Sequence, residues 1–373
     1  MQLIDRPTPV MVRGQGSYLW DEHGRRYLDF VQGQAANCLG HDPPALREAL
    51  ATAAVINPGP AYHNAPSHAL AAQLAALTGL DQVFLSGSGA EANEAAVKLA
   101  RKWGQLHRTG AFEVITTQES FHGRTLAMSS ATGKPRFADA FGPHVPGFVK
   151  VPFGDLGAVA AAISARTVAV MVEPIQGEAG AVTPAHGYLA ALRALCDRQR
   201  VLLIVDEVQT GMGRTGPLFA FQAEHVLPDL LTVGKGIGGG LPVSAVLARG
   251  EAACFAVGDH GGTFASHALL CTGALAVIRA VLALDREASS RALEAALRVL
   301  AQRHDLHLRG RGHLWGLVLP SPRADAIREL CFARGLLVNA ARANVIRLMP
   351  ALNVDVREVE AMTTILSAAL AEA

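Results

Sequence analysis

The sequence has few charged residues, and those that it has are balanced in sign. Charged residues make up 17% of the 373 residues, and 33 Lys and Arg against 32 Asp and Glu leave a formal net charge of +1. A chain with no basic cluster is not expected to bind nucleic acid, and one with no acidic block is not expected to carry a solvating tail. Half of the residues are hydrophobic, which allows a large buried core and argues against disorder.

Cysteine is also scarce, and the sequence lacks the marks of export or of a membrane span. The five cysteines are scattered and form no Cys-x-x-Cys pair, which is typical of reduced thiols in a cytoplasmic protein and unlike a metal site. The first residues lack the apolar stretch of a signal peptide. The one long uncharged stretch, residues 261–278, contains Thr, Ser, His and three glycines, which a membrane-spanning helix disfavours. We therefore expect a cytoplasmic protein with no metal, no nucleic-acid partner and no membrane partner.

Five short apolar runs each end near a polar group and are followed by a helical pattern. The runs cover residues 83–85, 113–117, 168–172, 201–205 and 230–233. Continuous rather than alternating hydrophobicity marks strands that are buried on both faces, as in a parallel sheet. Strands that alternate with helices in this way predict an α/β fold with a doubly wound, mostly parallel sheet.

The two ends of the chain lack this alternation. The final third carries amphipathic helices, with Leu293, Leu297 and Leu300 on one face, and a short strand over residues 345–348. We therefore predict a large domain over residues 57–251. A smaller α+β domain is predicted to combine both chain ends, residues 1–56 and 252–373.

Polar residues follow all five apolar runs. They are Ser88, His122, Glu173, Asp206 and Lys235. Ligands of doubly wound sheets bind at the carboxyl ends of the strands. One polar residue at a strand end is ordinary loop chemistry, whereas five at one edge predict a binding site.

Lys235 and Asp206 indicate the chemistry of that site. A lone lysine at a strand end is usually only solvated. Asp206, however, ends the neighbouring apolar strand, and a carboxylate buried there needs a cationic or hydrogen-bonding partner. A protonated pyridine nitrogen supplies such a partner, and an amine placed to attack a carbonyl completes the requirements of an imine-forming cofactor enzyme.

The small residues around Gly87 and Gly89 fit a phosphate site at a helix N-terminus. With Ala92 they also match the dinucleotide fingerprint G-x-G-x-x-A, which leaves a nicotinamide-dependent dehydrogenase as an alternative. That alternative requires an acidic residue about 20 positions further on, and the nearest strand-end acid, Glu119, comes later. A non-catalytic dimeric scaffold is a third hypothesis, which the presence of both the aspartate and the lysine disfavours.

Five ordered motifs carry a resemblance to a known family. They are SGAEANEA at 88–95, SFHGRT at 120–125, VEPIQGE at 172–178, DEVQTG at 206–211 and GKG at 234–236. The chain resembles the class III (fold-type I) aminotransferases that depend on pyridoxal 5′-phosphate (PLP), and among them the acetylornithine aminotransferases. The resemblance implies a homodimer with shared active sites and transfer of the terminal amine of N-acetylornithine to 2-oxoglutarate in arginine biosynthesis. Ornithine, succinylated diamino acids, GABA or a pathway-specific amine remain alternative donors.

The resemblance also implies roles for individual residues on the cofactor side. Lys235 forms the Schiff base and acts as general base, and Asp206 pairs with the ring nitrogen. The other expected cofactor contacts are Ser88, Gly89 and Ala90 at the phosphate, Phe121 stacked on the ring, His122 and Glu173 as neighbours, Val208 and Gln209 flanking the ring, and Thr263 reaching the phosphate from the partner subunit.

On the substrate side, the resemblance implies that Arg124 binds the carboxylate distant from the reacting amine. Glu178 masks Arg347, which takes the α-carboxylate of glutamate when that substrate binds. Gly262 is expected beside the substrate. Three departures from the family pattern, Gln34, Gly262 and residues 265–268, lie where the substrate tail and the dimer contact are expected, so they bear on the identity of the amine donor.

Overall fold

The computed structural model describes residues 7–134 and 140–373. Its strands are β1 (Met11–Gln15), β2 (Tyr18–Asp21), β3 (Arg26–Asp29), β4 (Gln82–Ser86), β5 (Glu113–Thr117), β6 (Phe148–Val151), β7 (Thr167–Val172), β8 (Leu202–Glu207), β9 (Leu230–Val233), β10 (Ser244–Ala248), β11 (His307–Arg311), β12 (Leu314–Val318), β13 (Leu336–Leu337), β14 (Asn339–Arg342) and β15 (Val345–Leu348).

The helices alternate with these strands through the middle of the chain. They are α1 (Gln32–Ala35), α2 (Pro44–Thr52), α3 (Ala65–Thr78), α4 (Gly89–His107), α5 (Leu126–Ala131), α6 (Leu156–Ala162), α7 (Tyr188–Gln199), α8 (Ala268–Ala283), α9 (Arg286–Arg303), α10 (Ala324–Ala333) and α11 (Val356–Glu372). Short 3-10 turns cover Ala220–Glu224, Lys235–Ile237 and Gly250–Ala252.

A mixed sheet of seven described strands forms the centre, in the order β4-β10-β9-β8-β7-β5-β6. The five strands from β9 to β6 run parallel, and β10 lies antiparallel between β4 and β9. Every residue of β7, β8 and β9 is buried, which explains why these runs are apolar throughout. The predicted α/β fold with a mostly parallel sheet is confirmed, whereas the strands β6 and β10 were not predicted.

The two ends of the chain share a second sheet and a second core. In the sheet β1-β2-β3-β13, Leu336 of β13 pairs in parallel with Leu28 of β3. Leu28 and Phe30 also pack with apolar side chains of α9, α10 and α11. The third sheet, β11-β12-β15-β14, is antiparallel and places Arg347 on β15.

Helix α8 lies outside the predicted range of the large domain but packs on α2 and α3. Its apolar side chains join the core of the central sheet. The domain boundaries after residues 56 and 251 therefore stay a prediction. Among the described helices, none is by itself long and apolar enough to cross a membrane, and α8 and α9 reach that length only jointly, across a bend of 70°.

Helix α1 is a single turn whose four residues, Gln32 to Ala35, all have positive φ, between 48° and 72°. Only one of them, Gly33, is a glycine, and each other residue costs on the order of 1 kcal/mol in this region. Asp29 holds the turn, because its Oδ1 accepts hydrogen bonds from the N–H groups of Val31 (2.8 Å) and Gln32 (3.0 Å). The turn directs Gln34 toward Arg347.

Candidate active site

The carboxylate of Asp206 lies at the end of β8 and is held by three groups. Its Oδ2 accepts a hydrogen bond from Nδ2 of Asn93 at 2.8 Å and lies 2.8 Å from Nδ1 of His122. Its Oδ1 accepts a hydrogen bond from the N–H of Val208 at 3.0 Å. Asp206 is 4% exposed, so these contacts fix the direction in which the carboxylate can meet a ligand.

Asn93 was missed by the sequence analysis. It lies on the buried face of α4, and its Nδ2 also donates to the carbonyl oxygen of His122 at 2.7 Å. One amide therefore ties α4 to both the aspartate and the histidine. The sequence contained one sign of this role, because Asn93 is an amide at a position where the apolar pattern of α4 predicts a core residue.

Lys235 follows β9 with a strained backbone and an unpaired amine. Its φ is 44°, a left-handed conformation that costs a non-glycine residue on the order of 1 kcal/mol. Burial lowers the pKa of its ammonium group, and Glu178 opposes that shift. No described residue accepts a hydrogen bond from its Nζ. The position therefore favours a neutral, nucleophilic amine.

The loop after β8 and the start of α4 approach each other closely. A Cβ at Gly89 would lie 2.5 Å from Cγ1 of Val208, so only glycine permits this packing. The first N–H groups of a helix have no intrahelical acceptor, and Gly89 and Ala90 supply two of them beside the loop. The hydroxyl of Ser88 is engaged as the helix cap, since it accepts from the N–H of Glu91 (3.3 Å) and donates to the Glu91 carboxylate (2.9 Å).

Gln209 supplies a further test of whether these residues fit PLP. Its Oε1 and Nε2 are buried and have no hydrogen-bond partner among the described residues. A Cβ at Gly177 would come within 1.5 Å of that Oε1, so the glycine makes room for the amide. An amine, a fixed carboxylate and a helix N-terminus suit the aldehyde, the ring nitrogen and the phosphate of PLP, and the unsatisfied amide is available to hydrogen-bond a ligand, so the residues present fit the cofactor.

Phe121 lies next to Glu173, a predicted cofactor neighbour, and Arg124, a predicted substrate-binding residue. Its N–H donates to Oε2 of Glu173 at 3.0 Å. Burial raises the pKa of Glu173 to about 7, and Asp206 adds to this while His122 opposes it. The guanidinium carbon of Arg124 lies 6.0 Å from the centre of the Phe121 ring. Arg124 is exposed and has no carboxylate within salt-bridge distance in the part of the chain that the structure describes.

Arg347 is a buried cation, only 1% exposed, that three oxygen atoms surround. Its Nη1 donates to the carbonyl oxygen of Gly177 and to Oε1 of Glu178, each at 2.7 Å. Its Nη2 donates to Oε1 of Gln34 at 2.8 Å. Burial alone would raise the pKa of Glu178, but the cations Arg347, Lys235 and Lys134 outweigh it and lower that pKa to about 2. Glu178 is therefore ionised at any assay pH.

Gly262 and Thr263 lie on a partly exposed loop before α8. The carbonyl oxygen of Thr263 accepts a hydrogen bond from Nδ2 of Asn57 at 3.1 Å. Both loop residues line a surface cleft together with Gly87 and Glu91. Within the described part of the chain, no hydrogen bond joins Thr263 to the predicted site residues, so its role toward a partner subunit stays a prediction.

A lysine, a fixed carboxylate and a helix N-terminus at the carboxyl edge of a mostly parallel sheet are the arrangement expected of a PLP-dependent enzyme of fold type I. The sequence model of the family described as Aminotransferase class-III matches residues 4–370, and the chain belongs to that family. It is therefore a PLP-dependent aminotransferase. The dehydrogenase and scaffold hypotheses are wrong.

Individual relatives carry more specific names. The chain is 50% identical to acetylornithine aminotransferase 2 of Bordetella bronchiseptica, over 95% of this chain and 92% of that protein. Among solved structures it is similar to the N-acetylornithine aminotransferase of Stenotrophomonas maltophilia, with a TM-score of 0.85, 34% identity and coverage of 98% and 96%. It is also similar to the ornithine aminotransferase of Toxoplasma gondii, with a TM-score of 0.93, 32% identity and coverage of 100% and 92%.

Proposed function

We propose that this aminotransferase transfers the terminal amino group of N-acetylornithine to 2-oxoglutarate, which yields N-acetylglutamate semialdehyde and glutamate. The relatives named acetylornithine aminotransferase support this substrate. The observation that carries the proposal is the ion pair between Glu178 and Arg347. An enzyme that accepts both substrates needs a cation for the α-carboxylate of glutamate, and it needs to neutralise that cation when the ω-amine of acetylornithine binds.

Each substrate would use a different state of this pair. Acetylornithine presents no carboxylate next to its reacting carbon, so Glu178 stays on Arg347 and no buried cation is left unpaired. Glutamate presents its α-carboxylate there and displaces Glu178. Both substrates also carry a carboxylate far from the reacting amine, and the exposed guanidinium of Arg124 beside Phe121 would bind it in a bidentate manner.

The other site residues would perform the chemical step. When bound, PLP supplies a conjugated ring that accepts the electron pair left at the reacting carbon. Lys235 would hold the cofactor through its amine and then take and return the proton at that carbon. Asp206 would face the ring nitrogen and keep it protonated, and Asn93 and His122 hold that carboxylate in place.

A homodimer is part of the proposal. Segments 55–62 and 257–264 expose large apolar side chains, including Tyr62 (71% exposed) and Phe264 (68%). The hydrogen bond from Asn57 to the carbonyl of Thr263 joins the two segments in one surface. A second copy of the chain would bury this surface and bring Thr263 to the partner's phosphate site. We also propose a cytoplasmic location, which the five free cysteines support.

The substrate is tested with purified enzyme loaded with PLP and a panel of ω-amines. N-acetylornithine, ornithine, N-succinylornithine and GABA are each supplied with 2-oxoglutarate, and the initial rate of glutamate formation gives kcat/KM. We expect the highest value for N-acetylornithine. A higher value for ornithine would transfer the assignment to that substrate, whose enzyme from Toxoplasma gondii has a similar structure.

A further inference from the structure

Lys134 places a second cation against the carboxylate of Glu178. Its Nζ lies 3.6 Å from Oε2 of Glu178 and 5.5 Å from the centre of the Phe121 ring. Its side chain is only 17% exposed. Burial lowers the pKa of Lys134, and Glu178 counteracts that shift. The two oxygens of one carboxylate therefore face two different cations, Arg347 through Oε1 and Lys134 through Oε2.

Of the groups around this carboxylate, Arg347 is the one that is fixed. It lies within β15, is 1% exposed, and donates to the carbonyl oxygen of Gly177 and to the amide oxygen of Gln34. Neither of these two contacts involves Glu178. Glu178 itself lies in the loop after β7 and is 27% exposed. Exchange of partners therefore requires movement of the glutamate side chain and not of the arginine.

Displacement of Glu178 creates an electrostatic problem that Arg347 cannot solve. The pKa of about 2 shows that the surrounding cations hold this carboxylate strongly in its ionised form. A carboxylate that is separated from its main cation in a largely buried pocket is destabilised unless another cation takes that place. A substrate that binds Arg347 thus binds well only if the displaced carboxylate has another cation to pair with.

We propose that Lys134 is the alternative partner of Glu178, to which the carboxylate turns when the α-carboxylate of glutamate occupies Arg347. The proposal rests on the proposed use of glutamate and an ω-amine in one pocket. Lys134 is then a positioning residue for the glutamate half-reaction alone. In the ω-amine half-reaction Glu178 stays paired with Arg347, so this half-reaction does not need Lys134 as the main partner of Glu178.

The test compares the two half-reactions in the PLP-loaded enzyme. Lys134→Met removes the charge but retains an apolar stem over Phe121, and Lys134→Arg restores the charge. Lys150→Met is the control, because Lys150 is a second lysine whose pKa burial lowers, although the residue as a whole is exposed. Among the described residues, its Nζ donates to the carbonyl oxygen of Ser130 and to no carboxylate. In single-turnover experiments, the change in cofactor absorbance gives the rate constant of each half-reaction divided by the apparent Kd, for glutamate and for N-acetylornithine.

We expect Lys134→Met to lower the value for glutamate by about tenfold, equivalent to about 1.4 kcal/mol, with the value for N-acetylornithine changed by less than about twofold. Lys134→Arg should restore the rate constant divided by the apparent Kd for glutamate. Lys150→Met should leave the ratio of this quantity between glutamate and N-acetylornithine unchanged. In a crystal structure with bound glutamate, the Glu178 carboxylate should lie at hydrogen-bond distance from Nζ of Lys134.

Three outcomes would overturn the role of Lys134. They are an unchanged glutamate half-reaction, equal losses in both half-reactions, and no rescue by Lys134→Arg. Failure of the proposed substrate has a different signature, in which the wild-type enzyme leaves N-acetylornithine unreacted and converts another ω-amine. The ratio of the half-reaction rate constants divided by the apparent Kd, for glutamate and for that amine, then tests the role of Lys134 in the same way.

Discussion

Glu178→Gln removes the negative charge that neutralises Arg347 while it retains the shape of the side chain. The pKa of Glu178 falls from 4.5 to about 2 in the folded protein, which corresponds to about 3 kcal/mol of net stabilisation of its carboxylate, after the cost of burial is offset by the surrounding cations. Because folding lowers this pKa, the interaction is complete above a pH of about 4.5 and is lost only as the pH falls toward about 2. An assay near neutral pH therefore tests the full effect.

The α-carboxylate of glutamate must overcome the part of this interaction that Glu178 makes with Arg347. Removal of the whole of it would favour glutamate by about a hundredfold. A glutamine side chain still accepts a hydrogen bond from the guanidinium, so we expect about a tenfold rise in kcat/KM for glutamate relative to N-acetylornithine. Glu113→Gln is the control, because the Glu113 carboxylate also forms an ion pair, with Arg166 at 2.9 Å, and its side chain is 12% exposed. Glu113 is the first residue of β5, so it lies at the end of that strand opposite the site. Single-turnover measurements of both half-reactions give the ratio directly, and a ratio equal to that of the wild type refutes the exchange of partners on Arg347.

The remaining predictions concern the chemical step and the assembly. Lys235→Ala should lower steady-state turnover by at least about a thousandfold, because no other described amine is placed to release product; near wild-type turnover would show that another residue holds the cofactor. Asp206→Ala should lower kcat by about a hundredfold or more while PLP remains bound through its phosphate, which absorbance and retained cofactor measure together. A loss of only about twofold, or about 0.4 kcal/mol, would assign Asp206 another role. Light scattering should give the mass of a dimer, and full activity from a monomer at nanomolar concentration would contradict the role of Thr263 in trans.

The central sheet was predictable because burial on both faces leaves a clear trace in the sequence. β7 and β8 are buried at every position, so they appear as unbroken apolar runs, and parallel strands place their carboxyl ends at one edge. Asp206 and Lys235 could therefore be grouped before any coordinates. Strand β10 could not be predicted in this way, because an antiparallel strand without a preceding helix lacks the alternation of strand and helix on which the prediction depended.

The contacts on the substrate side join residues that are far apart in the sequence, and no local sequence pattern predicts such contacts. Gln34, Lys134 and Arg347 come from three distant parts of the chain, and they meet only around the carboxylate of Glu178. Gln34 was noted as a departure from the family pattern, and the structure gives it a hydrogen bond to Arg347. Lys134 was not noted, because a lysine in a loop has no periodicity that separates it from a solvated one.

The left-handed turn at Gln32–Ala35 has a consequence for the laboratory evolution of this enzyme. Glycine at position 34 would relieve the backbone cost of a φ of 60°, and a selection for heat resistance alone would reward it. The same change would delete the amide that restrains Arg347. Thermal tolerance and discrimination between the two substrates therefore compete at one residue, and variants chosen only for survival at high temperature are expected to become less selective.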